Sequence, residues 1–155
     1  MPIIEHHQLI HAPIDLCFDL ARSVDIHIQT TTFTNERAVA GVTTGLLEMG
    51  DTVTFEATHF GVKQKLTAKV IKMDKPHEFI DIMVKGAFHS FMHTHRFIEE
   101  LDGTLMIDYF QYKSPFGVIG NIADRLFLER YMKTFIASRA EALKKIAENM
   151  KGDIG

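Results

Sequence analysis

Residues 52–70 read TVTFEATHFGVKQKLTAKV, and their pattern is the clearest sequence indication of the fold. Apolar residues such as Phe55 and Leu66 alternate with polar ones, which is the period of a β-strand that buries one face. Phe60 and Gly61 interrupt the alternation at its centre and are suited to a tight turn. The stretch therefore predicts an antiparallel hairpin with one apolar and one hydrated face.

The same period of two extends from Asn35 to Lys113, with glycines where the chain would reverse. A turn from Glu100 to Gly103 fixes the register of the last hairpin, and a three-residue turn at Gly86 fixes that of the hairpin before it. The pairs predicted to lie opposite each other are Phe91 and Tyr112, His93 and Phe110, His95 and Asp108, Phe97 and Met106, and Asp81 and His93.

The segments that flank these strands predict helices. A first strand, Ile3 to His11, is followed by Pro13, which favours the first turn of a short helix. A second short helix is expected from Ser23 to Gln29, although Ile26 and Ile28 in this segment also alternate as in a strand. The 3-to-4 spacing of apolar residues predicts one long helix over about 121–150.

This order of elements predicts an α+β fold in which a curved antiparallel sheet of about six to seven strands wraps around the C-terminal helix. A twisted sheet curls around a helix laid across it, and a concave apolar pocket forms where side chains do not fill the space between them. Residues 1–155 are predicted to form a single domain, because this length is typical of one hydrophobic core.

Composition excludes several functional classes. The net charge is -3 and the isoelectric point is near 6.3, so the chain lacks the basic excess that binding to a phosphate backbone requires. No apolar run approaches the roughly 20 residues of a membrane span. The N-terminal residues lack the pattern of a secretory signal, and Cys17 is the only cysteine, so a cytoplasmic location is predicted.

Eight segments occur along the chain in an order that resembles the START-like helix-grip superfamily, also called SRPBCC. They are Gly41-Val42-Thr43-Thr44-Gly45, Gly50-Asp51-Thr52-Val53-Thr54-Phe55, His59-Phe60-Gly61, Pro76-His77-Glu78-Phe79, Gly86-Ala87-Phe88, His93-Thr94-His95-Arg96-Phe97, Gly103-Thr104 and Ser114-Pro115-Phe116-Gly117. The resemblance is strongest to bacterial single-domain proteins of the cyclase/dehydrase and coenzyme-Q-binding type. It implies a cavity for a hydrophobic ligand, and it does not fix a reaction.

The predicted register points a set of aromatic and polar side chains into this cavity. His95 and Asp108 are the candidates for proton transfer, since a carboxylate beside an imidazole produces a base near neutral pH. The alternative is a buried His–Asp pair with a purely structural role. The candidate ligand-binding residues are Phe55, His59, Phe91, His93, His95, Asp108, Phe110, Tyr112, Phe135 and Arg139.

No cofactor or metal is predicted. The glycines do not form a dinucleotide-binding or phosphate-binding loop, which argues against nucleotide chemistry. His93 and His95 could place two imidazoles on one strand face, as zinc sites do, but no helical His-Glu-x-x-His motif and no Cys/His spacing accompany them.

Three functions remain open from the sequence. The first is a carrier or sensor that binds a small hydrophobic or amphipathic molecule, such as a lipid. The second is a polyketide cyclase or aromatase that uses a His–Asp pair for proton transfer. The third is a module with a closed core that binds an unspecified protein partner.

Overall fold

The computed structural model describes residues 2–114 and 127–154. It contains a sheet of seven strands and three α-helices. The strands are β1 (Ile3–Ile10), β2 (Arg37–Gly41), β3 (Thr52–His59), β4 (Val62–Asp74), β5 (Glu78–Lys85), β6 (Ser90–Glu100) and β7 (Gly103–Lys113). The helices are α1 (Ile14–Ala21), α2 (Val24–Gln29) and α3 (Glu129–Ile154).

The sheet is antiparallel throughout, with the strand order β1-β7-β6-β5-β4-β3-β2. From β2 to β7, strands that are consecutive along the chain are neighbours in the sheet, and β1 pairs with β7. The predicted register of the last hairpin is confirmed, because His95 lies opposite Asp108 and Phe97 opposite Met106. Asp81 also lies opposite His93, as predicted.

The turn between β3 and β4 forms where the sequence predicted it. Phe60 and Gly61 both adopt positive φ angles, 52° and 75°. Two such residues in succession form the turn whose twist matches that of the flanking strands. This turn places His59 opposite Val62 and fixes which side chains of both strands face inward.

Two short helices follow the first strand, as predicted. Helix α1 begins directly after Pro13 and buries Cys17 and Phe18. The segment after Ser23 is a helix, because the Ser23 hydroxyl accepts a hydrogen bond from the backbone N–H of Ile26 and so caps the first turn. The strand alternative for this segment is therefore excluded.

The C-terminal helix α3 crosses the inner face of the sheet. Its buried residues Ile136, Ala140, Leu143 and Ala147 recur at spacings of three and four, which is the pattern of a helix with one buried face. The predicted first turn, from Asn121, lies outside the described residues. The helix extends to Ile154, beyond the predicted end near residue 150.

The layers thus match the predicted α+β helix-grip architecture. Phe18 in α1 packs edge-on against Phe79 of β5 and Phe97 of β6, with ring centroids 5.4 and 5.3 Å apart. These rings fill one end of the space between the sheet and the helices with apolar side chains. In the described part of the chain, no helix is both long and apolar enough to cross a membrane.

Candidate functional site

A cavity of about 420 Å³ lies between the inner face of the sheet and α3. This volume falls in the range of about 300–1,000 Å³ that is typical of small-molecule sites. The inward-facing residues of the central strands form one side, since alternate side chains of a strand point to the same face. The apolar lining includes Phe55, Ala57, Leu66, Phe88, Phe91, Phe110, Leu128, Met132, Phe135 and Ile136.

The structure brings most of the predicted ligand-binding residues together around this cavity. The predicted residues that line it are Phe55, His59, Phe91, His93, His95, Asp108, Phe110, Phe135 and Arg139.

Tyr112 is the exception, because it does not line the cavity and its side chain is fully buried. Its ring packs against those of Phe88 and Phe110, with centroids 5.4 and 5.6 Å apart. Tyr112 does point inward as predicted, but the neighbouring aromatic rings separate it from the cavity.

Two histidines and two aspartates form a network in the cavity wall. His93 Nε2 lies 2.8 Å from Asp108 Oδ1, and His95 Nε2 lies 2.8 Å from Asp81 Oδ1. His95 Nδ1 is also 3.4 Å from Asp108 Oδ1. The Cα register pairs His95 with Asp108 and His93 with Asp81, whereas the shortest side-chain contacts run diagonally. Diagonal contacts of this kind are within reach of long side chains on adjacent strands.

The environment of the network separates the proton affinities of its two imidazoles. Burial alone would lower the pKa of His95, but its interactions with Asp108 and Asp81 outweigh burial and raise it. Burial and the positive charge of His95 lower the pKa of His93. Burial opposes the ionisation of Asp108, yet hydrogen bonds from His93 and His95 hold its pKa well below the ordinary value. The two imidazoles that face the cavity side by side therefore differ in proton affinity, and His95 is the more basic of the two.

Aromatic stacking fixes the orientation of these rings. His95 stacks on Phe79 with a centroid separation of 4.1 Å, and on its other side it stacks on His93 at 3.8 Å. Only 4% of His95 is exposed, so its ring has little freedom to rotate. Stacking and burial therefore hold the imidazoles in fixed orientations, as a preorganised site requires.

Arg139 lies on α3 among the residues that line the cavity. Its Nη2 donates a hydrogen bond of 3.2 Å to the backbone carbonyl of Ala21 in α1. Its Nε is buried and has no hydrogen-bond partner among the described residues. A buried donor without a partner is costly, so this atom is a candidate hydrogen-bond donor to an acceptor in the cavity.

Several polar residues of the site were not among those predicted. Asp81 was placed opposite His93 by the register but was not selected as a ligand-binding residue. His27 Nε2 lies 2.8 Å from Glu36 Oε1, and both side chains line the cavity. Tyr131 contributes a hydroxyl that hydrogen-bonds His59 Nδ1. Of these residues, only Asp81 could have been identified from the sequence, because the alternation in β5 indicates which face of the sheet it lies on.

No protein-family model and no curated protein matches the sequence. Many solved structures share the fold at low identity. The protein TTHA0849 from Thermus thermophilus has a TM-score of 0.76 and 17% identity, over 93% of this chain and 95% of that chain. The ginseng major latex-like protein 151 from Panax ginseng has a TM-score of 0.68 and 12% identity, over 94% and 97%.

The di-domain ARO/CYC StfQ from the steffimycin biosynthetic pathway has a TM-score of 0.77 and 11% identity. The match covers 97% of this chain but 51% of StfQ, so this chain spans about half of that protein. These likenesses confirm the helix-grip fold. At such low identities they carry no information about a shared substrate or reaction.

Proposed function

We propose that the protein is a carrier or sensor that binds a small hydrophobic or amphipathic molecule in the cavity between the sheet and α3. The observation that carries this proposal is a cavity of about 420 Å³ with an apolar lining and a cluster of polar groups in its wall. Affinity in such a site comes from the burial of apolar surface, and a few polar groups orient the ligand.

The polar groups indicate which ligand would fit. Arg139 Nε offers an unused donor, while the carboxylates of Glu36, Asp81 and Asp108 also line the cavity. These three carboxylates disfavour an anionic head group, because like charges repel strongly where water is excluded. A neutral acceptor such as a carbonyl or phenol oxygen would satisfy the Arg139 donor without that repulsion.

Binding of the neutral apolar fluorophore N-phenyl-1-naphthylamine tests the proposal. The proposal predicts saturable binding of one fluorophore per chain. Ala57→Leu adds volume to a residue that lines the cavity and should weaken binding by at least tenfold. Ala40→Leu is the matched control, because Ala40 lies on the edge strand β2 and is exposed. Equal affinity of the two variants, or no saturable binding, would exclude binding in the cavity.

A second candidate function is proton-transfer catalysis of the cyclase or aromatase type. It is favoured by the stacked pair His93 and His95, whose pKa values are shifted in opposite directions. Groups whose environments separate their pKa values in this way can act as acid and base at the same pH. In this function Asp108 would hold both imidazoles in their reactive orientation.

Cyclisation of a synthetic poly-β-ketone thioester separates the two functions. A cyclase would accelerate ring closure, and Asp108→Asn would abolish the acceleration while the fluorophore still binds. If the wild-type protein binds the fluorophore but leaves the rate of ring closure unchanged, the result supports the carrier function and contradicts this catalytic role.

The third function considered, a module with a closed core that binds a protein, is disfavoured by the volume of the cavity. A single domain over residues 1–155 and a cytoplasmic location both remain predictions.

A further inference from the structure

Three side chains on adjacent strands of the cavity wall form a set of metal donors. They are Asp81 of β5 and His93 and His95 of β6, and one ligand atom from each lies within 4.8 Å of the others. We propose that this cluster binds one divalent transition-metal ion, with Zn²⁺ as the best match. The proposal goes beyond ligand binding, since it requires no organic molecule in the cavity.

The donor set suits such an ion. Imidazole nitrogens and carboxylate oxygens bind Zn²⁺, and two histidines with one carboxylate also form the facial triad of non-haem iron sites. His93 and His95 are two residues apart on one strand, so both rings lie on the same face of the sheet. Asp81 reaches them from the neighbouring strand, directly opposite His93.

Binding of the ion requires a rearrangement of the contacts within the cluster. His95 Nε2 and Asp81 Oδ1 are 2.8 Å apart, the distance of a hydrogen bond. Donor atoms about 2.0–2.1 Å from a tetrahedral ion are roughly 3.3 Å from each other. This contact would therefore open by about half an ångström, with the ion in place of the shared proton, and the His93 ring would turn out of its stack on His95 to direct a nitrogen at the same ion.

Asp108 supplies the outer support that metal-bound histidines have. Its Oδ1 lies 2.8 Å from His93 Nε2 and 3.4 Å from His95 Nδ1, so a single carboxylate holds both rings. Histidine ligands usually donate their second N–H to such a group, which fixes the ring and raises its basicity. Asp108 is 4% exposed, so it provides this support from within the core.

The charges of the cavity favour binding of a cation, and three protein ligands would leave that cation able to bind a further ligand from the cavity. Three carboxylates line the cavity, those of Glu36, Asp81 and Asp108. The lysine and arginine side chains among its described lining residues are those of Lys65 and Arg139. The excess of carboxylates attracts a divalent ion. Three protein ligands also leave a coordination position open, and here that position would face the cavity, as in zinc sites that bind water or substrate.

Titration of Zn²⁺ into the chelator-treated full chain, followed by calorimetry, tests the proposal. The wild type should bind one ion per chain at this site, and Asp81→Asn or His95→Gln should weaken that binding at least tenfold. Asp108→Asn should weaken it by about 10- to 100-fold, as is usual for an outer partner. His77→Gln is the matched control, because His77 is exposed and lies outside the cluster.

Co²⁺ in place of Zn²⁺ gives an independent readout, since a site with two nitrogens, one oxygen and water should produce visible absorption that His95→Gln abolishes.

Circular dichroism establishes that each variant is folded, and His93→Gln replaces His95→Gln if the latter does not fold. Equal affinity of the wild type and the Asp81→Asn variant would overturn the proposal. Binding of N-phenyl-1-naphthylamine to metal-free protein is measured separately, so failure of the metal site and failure of the carrier function are distinguishable.

Discussion

The imidazole rings of His93 and His95 stack with their centroids 3.8 Å apart. Two positive charges at this distance would repel each other in the protein interior. Protonation of one ring therefore makes protonation of the other less favourable. Both carboxylates of this network, those of Asp108 and Asp81, contact His95, whereas only that of Asp108 contacts His93. His95 is therefore the ring that binds a proton more tightly.

This asymmetry predicts separate titrations of the two rings. At pH 6.5, NMR of the imidazole nitrogens should show His95 more than half protonated and His93 less than half protonated, because the pKa of His95 is raised and that of His93 is lowered. Asp108→Asn should lower the pKa of His95 by removing one of its two carboxylate partners. Titration of both rings together near the ordinary value of about 6.5 would contradict the assignment.

The raised pKa of His95 also predicts how stability depends on pH. A histidine whose folded pKa exceeds its unfolded value stabilises the protein fully below the unfolded pKa, and this contribution is lost as pH rises through the folded pKa. The contribution of His95 to the free energy of unfolding by urea should therefore fall as the pH rises above about 6.5, whereas His93, whose pKa is lowered, contributes with the opposite sign. His95→Gln should remove this fall. An equal pH dependence in the wild type and the variant would show that His95 is not the group responsible.

The aromatic cluster beneath α1 predicts a large difference between two phenylalanine substitutions. Phe18 is buried against Phe79 and Phe97, so Phe18→Ala should lower the free energy of unfolding by about 3–5 kcal/mol. Phe60 is 70% exposed in the β3–β4 turn, so Phe60→Ala should change the free energy of unfolding by much less, about 0.5 kcal/mol. Urea unfolding of both variants measures the difference, and similar losses would contradict the described core.

Much of the sheet could be predicted from the sequence because alternation and turn residues are local signals. The alternation in residues 52–70 assigned Phe55 and Leu66 to the inner face, and the turn at Gly103 set the register that joins His95 to Asp108. A strand with one buried face tolerates only one register, since a slip of one residue would expose its apolar side chains.

The polar contacts of the site were less predictable, because they depend on the direction of side chains and on long-range packing. The register pairs His93 with Phe110, yet the imidazole leans along the strand and bonds Asp108 instead. The contact between His27 and Glu36 joins a short helix to a loop, and neither residue belongs to a periodic pattern.

Tyr112 shows a further limit of the sequence. Alternation places a side chain on the inner face, but it cannot distinguish a residue that borders a cavity from one that neighbouring rings cover. The described aromatic packing, with Phe88 and Phe110 against the Tyr112 ring, decides this.

The central claim, that a small apolar molecule binds between the sheet and α3, is tested most directly by NMR of methyl-labelled methionines. Met106 and Met132 line the cavity, whereas Met49 and Met92 are exposed elsewhere. Addition of N-phenyl-1-naphthylamine should shift the methyl resonances of Met106 and Met132 in a saturable manner and leave those of Met49 and Met92 unchanged. Shifts confined to Met49 and Met92, or no saturable shift at Met106 and Met132, would contradict the claim.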